Sequence, residues 1–395
     1  MSIQNMNIIR NLSFTALVIG SSACNKELEV GKTSKTQTVS SGNQGQDTND
    51  EMNEEFDLTE ELQDEASFVA DEIKLKRDNA SLTYTFLSRK SYSNCFDSGD
   101  IEEKVFTYKT IQSKKLGRTI HLRAYVFSDL KQKSDVVRPT LAMFHGGGWR
   151  AGAPVKWFPA ARYFASRGIV SVVFQYRLGG THKSTPFDAV ADAASAMRWL
   201  RKYSSALGVN PLKIAAVGDS AGGHLALTTA LVDEVFDENT NDLKISSKPQ
   251  FVFALYPIVN TDFVPNADSI SPVKLVSALN AVPTVILQGD ADAQPRTQPK
   301  EVEAFCRKQS ALKRNSCRYV LFPKLEHAFY PAHKQGTAST LVHLEKFMEA
   351  LKFLNDSNIE GVDRVKSASE ICKSNLFYQE WAESYGYSKN PKGIW

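Results

Sequence analysis

The sequence predicts an α/β fold: a doubly wound, mostly parallel sheet carrying a small cap insertion. Three observations carry this. From Thr140 onward, short apolar runs of strand length alternate with helical periodicities, the signature of βα units around a parallel sheet. A strand-length run, Lys213–Val217, leads through Gly218-Asp219-Ser220-Ala221-Gly222 into small apolar residues at helical spacing, a strand, sharp turn and helix with serine at the apex. A third signal, His145-Gly146-Gly147-Gly148-Trp149, directly follows the apolar strand Thr140–Phe144.

Taken in order, the first residues combine one cation, an apolar stretch from Asn11 to Gly20 and the small residues Ser21-Ser22-Ala23 before Cys24. This is the pattern of an export signal, too short to anchor by spanning a bilayer. It resembles a bacterial lipoprotein signal, in which Cys24 becomes the lipidated terminus; Ser21 departs from the aliphatic residue usual there. The expected location is therefore a bacterial envelope, membrane-anchored through lipid, or otherwise periplasmic or secreted. Residues 25–57 are polar and low in complexity and read as a disordered tether. In the extension 58–103, Leu58, Leu62, Ala66, Val69 and Ile73 fall on one stripe, which predicts a helix over Leu58–Lys76.

The main domain is expected over 104–355. Alternation in Val105–Thr110 and Ile120–Phe127 predicts two antiparallel edge strands joined by a turn at Lys115–Arg118. Strands follow at Thr140–Phe144, Ile169–Phe174, Lys213–Val217, Phe251–Tyr256, Thr284–Gln288 and Arg318–Phe322. Helices are expected at Trp157–Ser166, Phe187–Tyr203, from Ser220, at Pro299–Lys308 and at Leu341–Leu354. The segment 259–280 interrupts the alternation and carries Pro265 and Ser271-Pro272. An insert there lies over the C-terminal strand ends, where open α/β sheets place their sites. Residues 356–395 form an aromatic-rich extension, with Phe377, Tyr378, Trp381, Tyr385, Tyr387 and Trp395.

A net charge of +3 with intermixed signs gives no nucleic-acid footprint. The five cysteines lack a C-x-x-C spacing, which argues against a zinc site. With Cys24 set aside, the remaining four can pair in three ways. Cys306–Cys317 and Cys95–Cys372 are the favoured pairs, with buried free thiols as the alternative.

The chemistry gathers around two glycine-rich turns. Flanking glycines let strand and helix nearly touch at Ser220, so that its hydroxyl stands clear of the sheet, and the Ala221 N–H at the helix start can face a developing oxyanion. Gly146, Gly147 and Gly148 bring bare backbone N–H groups close to a substrate oxygen. His145 is expected to hold that loop rather than act as a base.

Together the two motifs resemble the α/β-hydrolase fold, in its hormone-sensitive-lipase-like and carboxylesterase-like branch, over roughly Val105–Leu354. The resemblance implies ester hydrolysis through an acyl-enzyme without metal or cofactor, with oxyanion donors at Gly147, Gly148 and Ala221 and with His145, Gly146 and Asp219 in support. It also implies a triad in the chain order serine, acid, histidine. After the strand at Thr284–Gln288, either Asp290 or Asp292 could be the acid. The Gly-x-x-Asp pattern of the family picks Asp292 and leaves Asp290 to brace the loop. Gln288 and Ala293-Gln294-Pro295 depart from the family pattern. After the last strand, His327 is the expected base, ahead of His333 and His343, although Glu326 replaces the usual preceding glycine. Tyr176-Arg177 also resembles a family pair and reads as structural, while Asp188, Asp192 and Arg198 read as surface ion-pair residues of their helix. The expected substrate is a small-molecule or glycan-linked ester with short acyl groups such as acetyl, the glycan being suggested by the export pattern and the C-terminal aromatics. The alternatives are a serine peptidase of the same fold or a non-catalytic surface-binding module. The peptidase group typically carries a propeller domain that this length does not accommodate. The binding module usually lacks the serine or histidine, and both are present here.

Overall fold

The computed structural model describes residues 72–77, 80–91, 100–130, 136–232, 243–332, 334–351 and 353. Among the described residues, ten strands form one sheet. They are β1 Glu72–Arg77, β2 Ala80–Ser91, β3 Asp100–Ser113, β4 Arg118–Asp129, β5 Arg138–Phe144, β6 Val170–Phe174, β7 Val209–Asp219, β8 Phe251–Leu255, β9 Thr284–Gly289 and β10 Cys317–Phe322, ordered β1-β2-β3-β4-β6-β5-β7-β8-β9-β10. The first four strands and the β4–β6 pair are antiparallel; β6-β5-β7-β8-β9-β10 are parallel throughout.

The parallel strands form because their apolar runs can be covered on both faces. Every residue of β5, β6, β8 and β9 is buried. Successive side chains point to opposite faces, and β5 divides accordingly. Ala142 and Phe144 join a core with Val172, Met197 and Leu225, whereas Leu141 and Met143 join one with Val173, Phe164 and Leu344. The first core packs against α2 (Pro186–Lys202), α3 (Ala221–Leu231) and α4 (Pro299–Leu312). The second packs against α1 (Phe158–Ala165) and α5 (Lys334–Ala350). Helix α2 starts at a capping box: Thr185 Oγ1 accepts from the Asp188 N–H while the Asp188 carboxylate accepts from the Thr185 N–H.

Two expectations change. The helix over Leu58–Lys76 gives way, where the residues are described, to strand β1, paired with β2 from Glu72↔Thr85 to Arg77↔Ala80. Glu72-Ile73-Lys74-Leu75-Lys76 alternates with a period of two, and that local period prevails over the sparse helical stripe. The sheet thus begins before residue 104, the boundary at 103 falls inside β3, and the strands expected at the edge, Val105–Thr110 and Ile120–Phe127, lie inside the sheet as parts of β3 and β4. The second change concerns α2, where Asp192 is fully buried and Arg198 nearly so. The cations on Asp192 come from distant segments: Lys109 Nζ at 2.8 Å and the Arg177 guanidinium at 2.8 and 2.9 Å. Asp188 stays half-exposed and pairs with Arg177 at 2.9 Å.

Cys306 in α4 and Cys317 in β10 form a disulfide. Cys24, Cys95, Cys372, His333, the tether 25–57 and the extension 356–395 lie outside the described residues. Among the described residues, no helix is long and apolar enough to cross a membrane.

Candidate active site

Strand β7 delivers Ser220 at its C-terminal end, and α3 starts at the next residue. Ser220 adopts φ 52° and ψ −118°, a strained conformation for a residue with a Cβ. The turn closes only because its neighbours are glycines. A Cβ on Gly222 would stand 2.1 Å from the Phe144 carbonyl oxygen, and one on Gly218 would stand 2.2 Å from that of Gly222.

The loop after β5 lies against this turn. Gly147 and Gly148 have φ of 127° and 63°, which the missing Cβ permits. Among the described residues, their N–H groups and that of Ala221 donate to no protein acceptor. A buried carboxylate ties loop and elbow together. Asp219 Oδ1 accepts from the Gly146 N–H at 2.9 Å and Trp157 Nε1 at 2.8 Å, and Oδ2 accepts from Lys156 Nζ at 2.6 Å. His145 sits behind the loop, with Nδ1 2.8 Å from the Gly146 carbonyl oxygen and its ring stacked on Tyr176 at 4.5 Å. Burial drives its pKa down to about 4, against the smaller upward effects of the Gly146 carbonyl and the Asp219 charge. His145 is therefore a neutral brace at physiological pH. Tyr176 completes the brace by donating its hydroxyl to the His145 carbonyl oxygen at 2.7 Å.

The loops after β9 and β10 supply the other two groups. His327 Nε2 lies 3.0 Å from Ser220 Oγ, and its Nδ1 lies 2.9 Å from Asp292 Oδ2. Asp290 instead accepts from the Lys324 N–H at 2.6 Å and pins the two loops together. His343 lies within α5, bonded through Nδ1 to the Ser339 carbonyl oxygen. With Glu326 in place of glycine, the left-handed positions of this turn fall at Lys324 (φ 63°) and Ala328 (φ 60°).

Asp292 is held by more than the histidine. Its Oδ2 also accepts from Gln288 Nε2 at 2.8 Å and Thr297 Oγ1 at 2.9 Å, and Oδ1 accepts from the Gln294 N–H at 3.0 Å. Burial pushes this carboxyl up, but the His327 hydrogen bond and charge, with Gln294 and Thr297, outweigh it and hold the group below the usual carboxylate range. Thr297 Oγ1 is also 3.1 Å from His327 Nδ1, and the Tyr256 ring packs edge-on against the imidazole at 4.7 Å. Sequence reasoning gave no role at the site to Thr297, Gln288, Lys156, Trp157 and Tyr256. Only Gln288 carried a signal, as the residue ending the strand before the acid.

The insert 259–280 contains two single turns, Ala267–Ile270 and Pro272–Leu275. Its Ile270 carbonyl oxygen faces His224 Nε2 at 2.8 Å, and Phe263 stacks 6.2 Å from Trp149. His224 is neutral at physiological pH as well, lowered by burial to about 4 against its bond to Ile270. Among the described residues, no group of three histidines, cysteines or carboxylates is arranged to hold a metal.

A parallel sheet with serine, imidazole and carboxylate aligned at its C-terminal edge defines the α/β-hydrolase class. The family model BD-FAE matches residues 127–267. Esterase 2 of Thermogutta terrifontis, solved phosphorylated by paraoxon, is 30% identical, with a TM-score of 0.59 over 65% of this chain and 96% of that one. Other structures of that esterase hold butyrate or propionate. The carboxylesterase NlhH of Mycobacterium tuberculosis is 37% identical over 94 residues, 23% of this chain and 28% of that protein. Endo-1,4-beta-xylanase B of Butyrivibrio fibrisolvens is 31% identical over 153 residues, 38% of this chain and 23% of that protein. The chain spans about a quarter of the length of these two curated relatives. It belongs to the α/β-hydrolase serine esterases.

Proposed function

We propose that the protein hydrolyses carboxylic esters with small acyl groups, acetyl among them, through a Ser220-His327-Asp292 triad and an acyl-enzyme. The observation that carries this reading is the continuous line from Ser220 Oγ to His327 Nε2 at 3.0 Å and from Nδ1 to Asp292 at 2.9 Å. In the first step His327 Nε2 takes the hydroxyl proton as Ser220 Oγ bonds to the ester carbonyl carbon. The N–H groups of Gly147, Gly148 and Ala221 receive the oxyanion. Collapse breaks the bond to the alcohol oxygen, which leaves with the proton from Nε2. Water then attacks the acyl-enzyme, giving its proton to Nε2, and the acid departs as Ser220 is restored. Asp292 stays ionised and stabilises the imidazolium.

The buried Trp149 and Tyr256 beside the elbow, and the butyrate and propionate held by the Thermogutta esterase, support a small acyl group. A glycan as the alcohol part is supported by the match to the xylanase. Export is supported by the Cys306–Cys317 disulfide, a bond that persists in oxidising compartments. The N-terminal pattern ending at Cys24 supports a lipid anchor.

A series of p-nitrophenyl esters tests the reading. The expected result is highest kcat/KM for acetyl to butyryl, with a loss of at least about 10⁴ in kcat on Ser220→Ala. Paraoxon should add one diethylphosphoryl group at Ser220, read by peptide mass. Cleavage of peptides without cleavage of esters, or labelling at another residue, would overturn it.

A further inference from the structure

The acid loop carries a cation that the hydrolytic steps do not use. Arg296 is exposed and places its guanidinium carbon 4.4 Å from the centroid of the Phe263 ring. Phe263 comes from the insert, is 42% exposed, and stacks on Trp149, the residue that follows the oxyanion glycines. Trp149 in turn meets His224, one turn beyond Ser220, at 4.9 Å. On its other side, Arg296 directly precedes Thr297, whose hydroxyl touches both Asp292 and His327. The guanidinium therefore joins the insert to the acid loop.

Among the described residues, Arg296 has no carboxylate partner. The acid beside Phe263, Asp262, is taken by Lys274. Arg150, next to Trp149, is likewise exposed and without a carboxylate partner among the described residues. A guanidinium lying on an aromatic face keeps its edge donors free in one plane, the geometry that grips a carboxylate with two parallel hydrogen bonds. The ring also restrains a side chain that would otherwise lose rotamer freedom on binding.

We propose that Arg296, seated on Phe263, binds a carboxylate on the substrate, so that the preferred ester carries an acidic group on its acyl or its alcohol side. The proposal rests on the ester-hydrolase reading above and adds the charge of its substrate.

Two matched pairs test it and separate the two sides. For the acyl side, p-nitrophenyl hemisuccinate is compared with p-nitrophenyl butyrate. For the alcohol side, O-acetyl glucuronic acid is compared with O-acetyl glucose. The wild-type enzyme should favour the charged member of one pair by about tenfold in kcat/KM, a preference that falls with added salt. Arg296→Gln should bring that ratio close to one, mainly through KM, and Arg296→Lys should retain part of it. Melting curves establish that the variants fold. A ratio at or below one in both pairs, or a ratio that Arg296→Gln leaves in place, overturns the proposal while ester hydrolysis itself stands. Failure of the wild-type protein to cleave any of the four esters faster than Ser220→Ala overturns the hydrolase reading and this one with it.

Discussion

Asp292 accepts four hydrogen bonds, from His327, Gln288, Thr297 and the Gln294 backbone. Because Thr297 Oγ1 lies near both Asp292 Oδ2 and His327 Nδ1, its hydroxyl holds the carboxylate in line and keeps the Nδ1 proton directed at it. Thr297→Val keeps the shape and removes the donor, so kcat should fall by about tenfold. Steady-state kinetics on p-nitrophenyl acetate read the loss. Asp292→Asn should cost about 10⁴ in kcat, since it unsettles the tautomer of His327. Ser220, His327 and Asp292, which the structure brings into line, were expected from motif order, strand ends and the family resemblance. Thr297 was not, because its partners lie five and thirty residues away and a lone threonine in a loop has no pattern.

At the scale of elements, the elbow and the α4–β10 clamp each lead to an expectation. Gly222→Ala would drive a Cβ to 2.1 Å from the Phe144 carbonyl oxygen, and backbone rather than a mobile side chain receives it. That variant should lose detectable esterase activity and melt well below the wild type. Reducing the Cys306–Cys317 bond, which spans a sequence separation of 11, removes a constraint worth roughly 3 kcal/mol in the chain-entropy account. Thermal unfolding with and without reductant should show the melting temperature falling by about 5 °C. The central strands were readable because both their faces are buried and their runs are uniformly apolar. The first strand was not, since a two-residue period five residues long competes poorly on the page with a longer helical stripe. Asp192 was misjudged for a related reason: helical spacing shows neighbours along α2, whereas its cations arrive from β3 and the loop after β6.

For the whole molecule, acid sensitivity follows from two histidines buried in neutral form. His145 and His224 are lowered by burial from 6.5 to about 4. Between those values the unfolded chain binds protons that the folded one refuses, so stability falls as pH drops from 6.5 towards 4 and levels off below. Each contributes a loss of roughly 3 kcal/mol at most. Melting temperature should therefore decline through this window, and His224→Gln, which can still donate to Ile270, should flatten the decline. Asp292 acts in a different range, its contribution being lost only as pH falls below the ordinary carboxylate pKa.

The carboxylate of Asp219 has one more implication. It is covalently next to Ser220 and is gripped by the loop of Gly146, by Lys156 and by Trp157. Under the proposed mechanism, attack and charge reception are thereby welded into a single unit that cannot be tuned piecemeal. Divergence toward new substrates, in nature or in a mutagenesis library, is channelled into exposed positions around it such as Phe263 and Arg296, which can vary while that unit stays as it is.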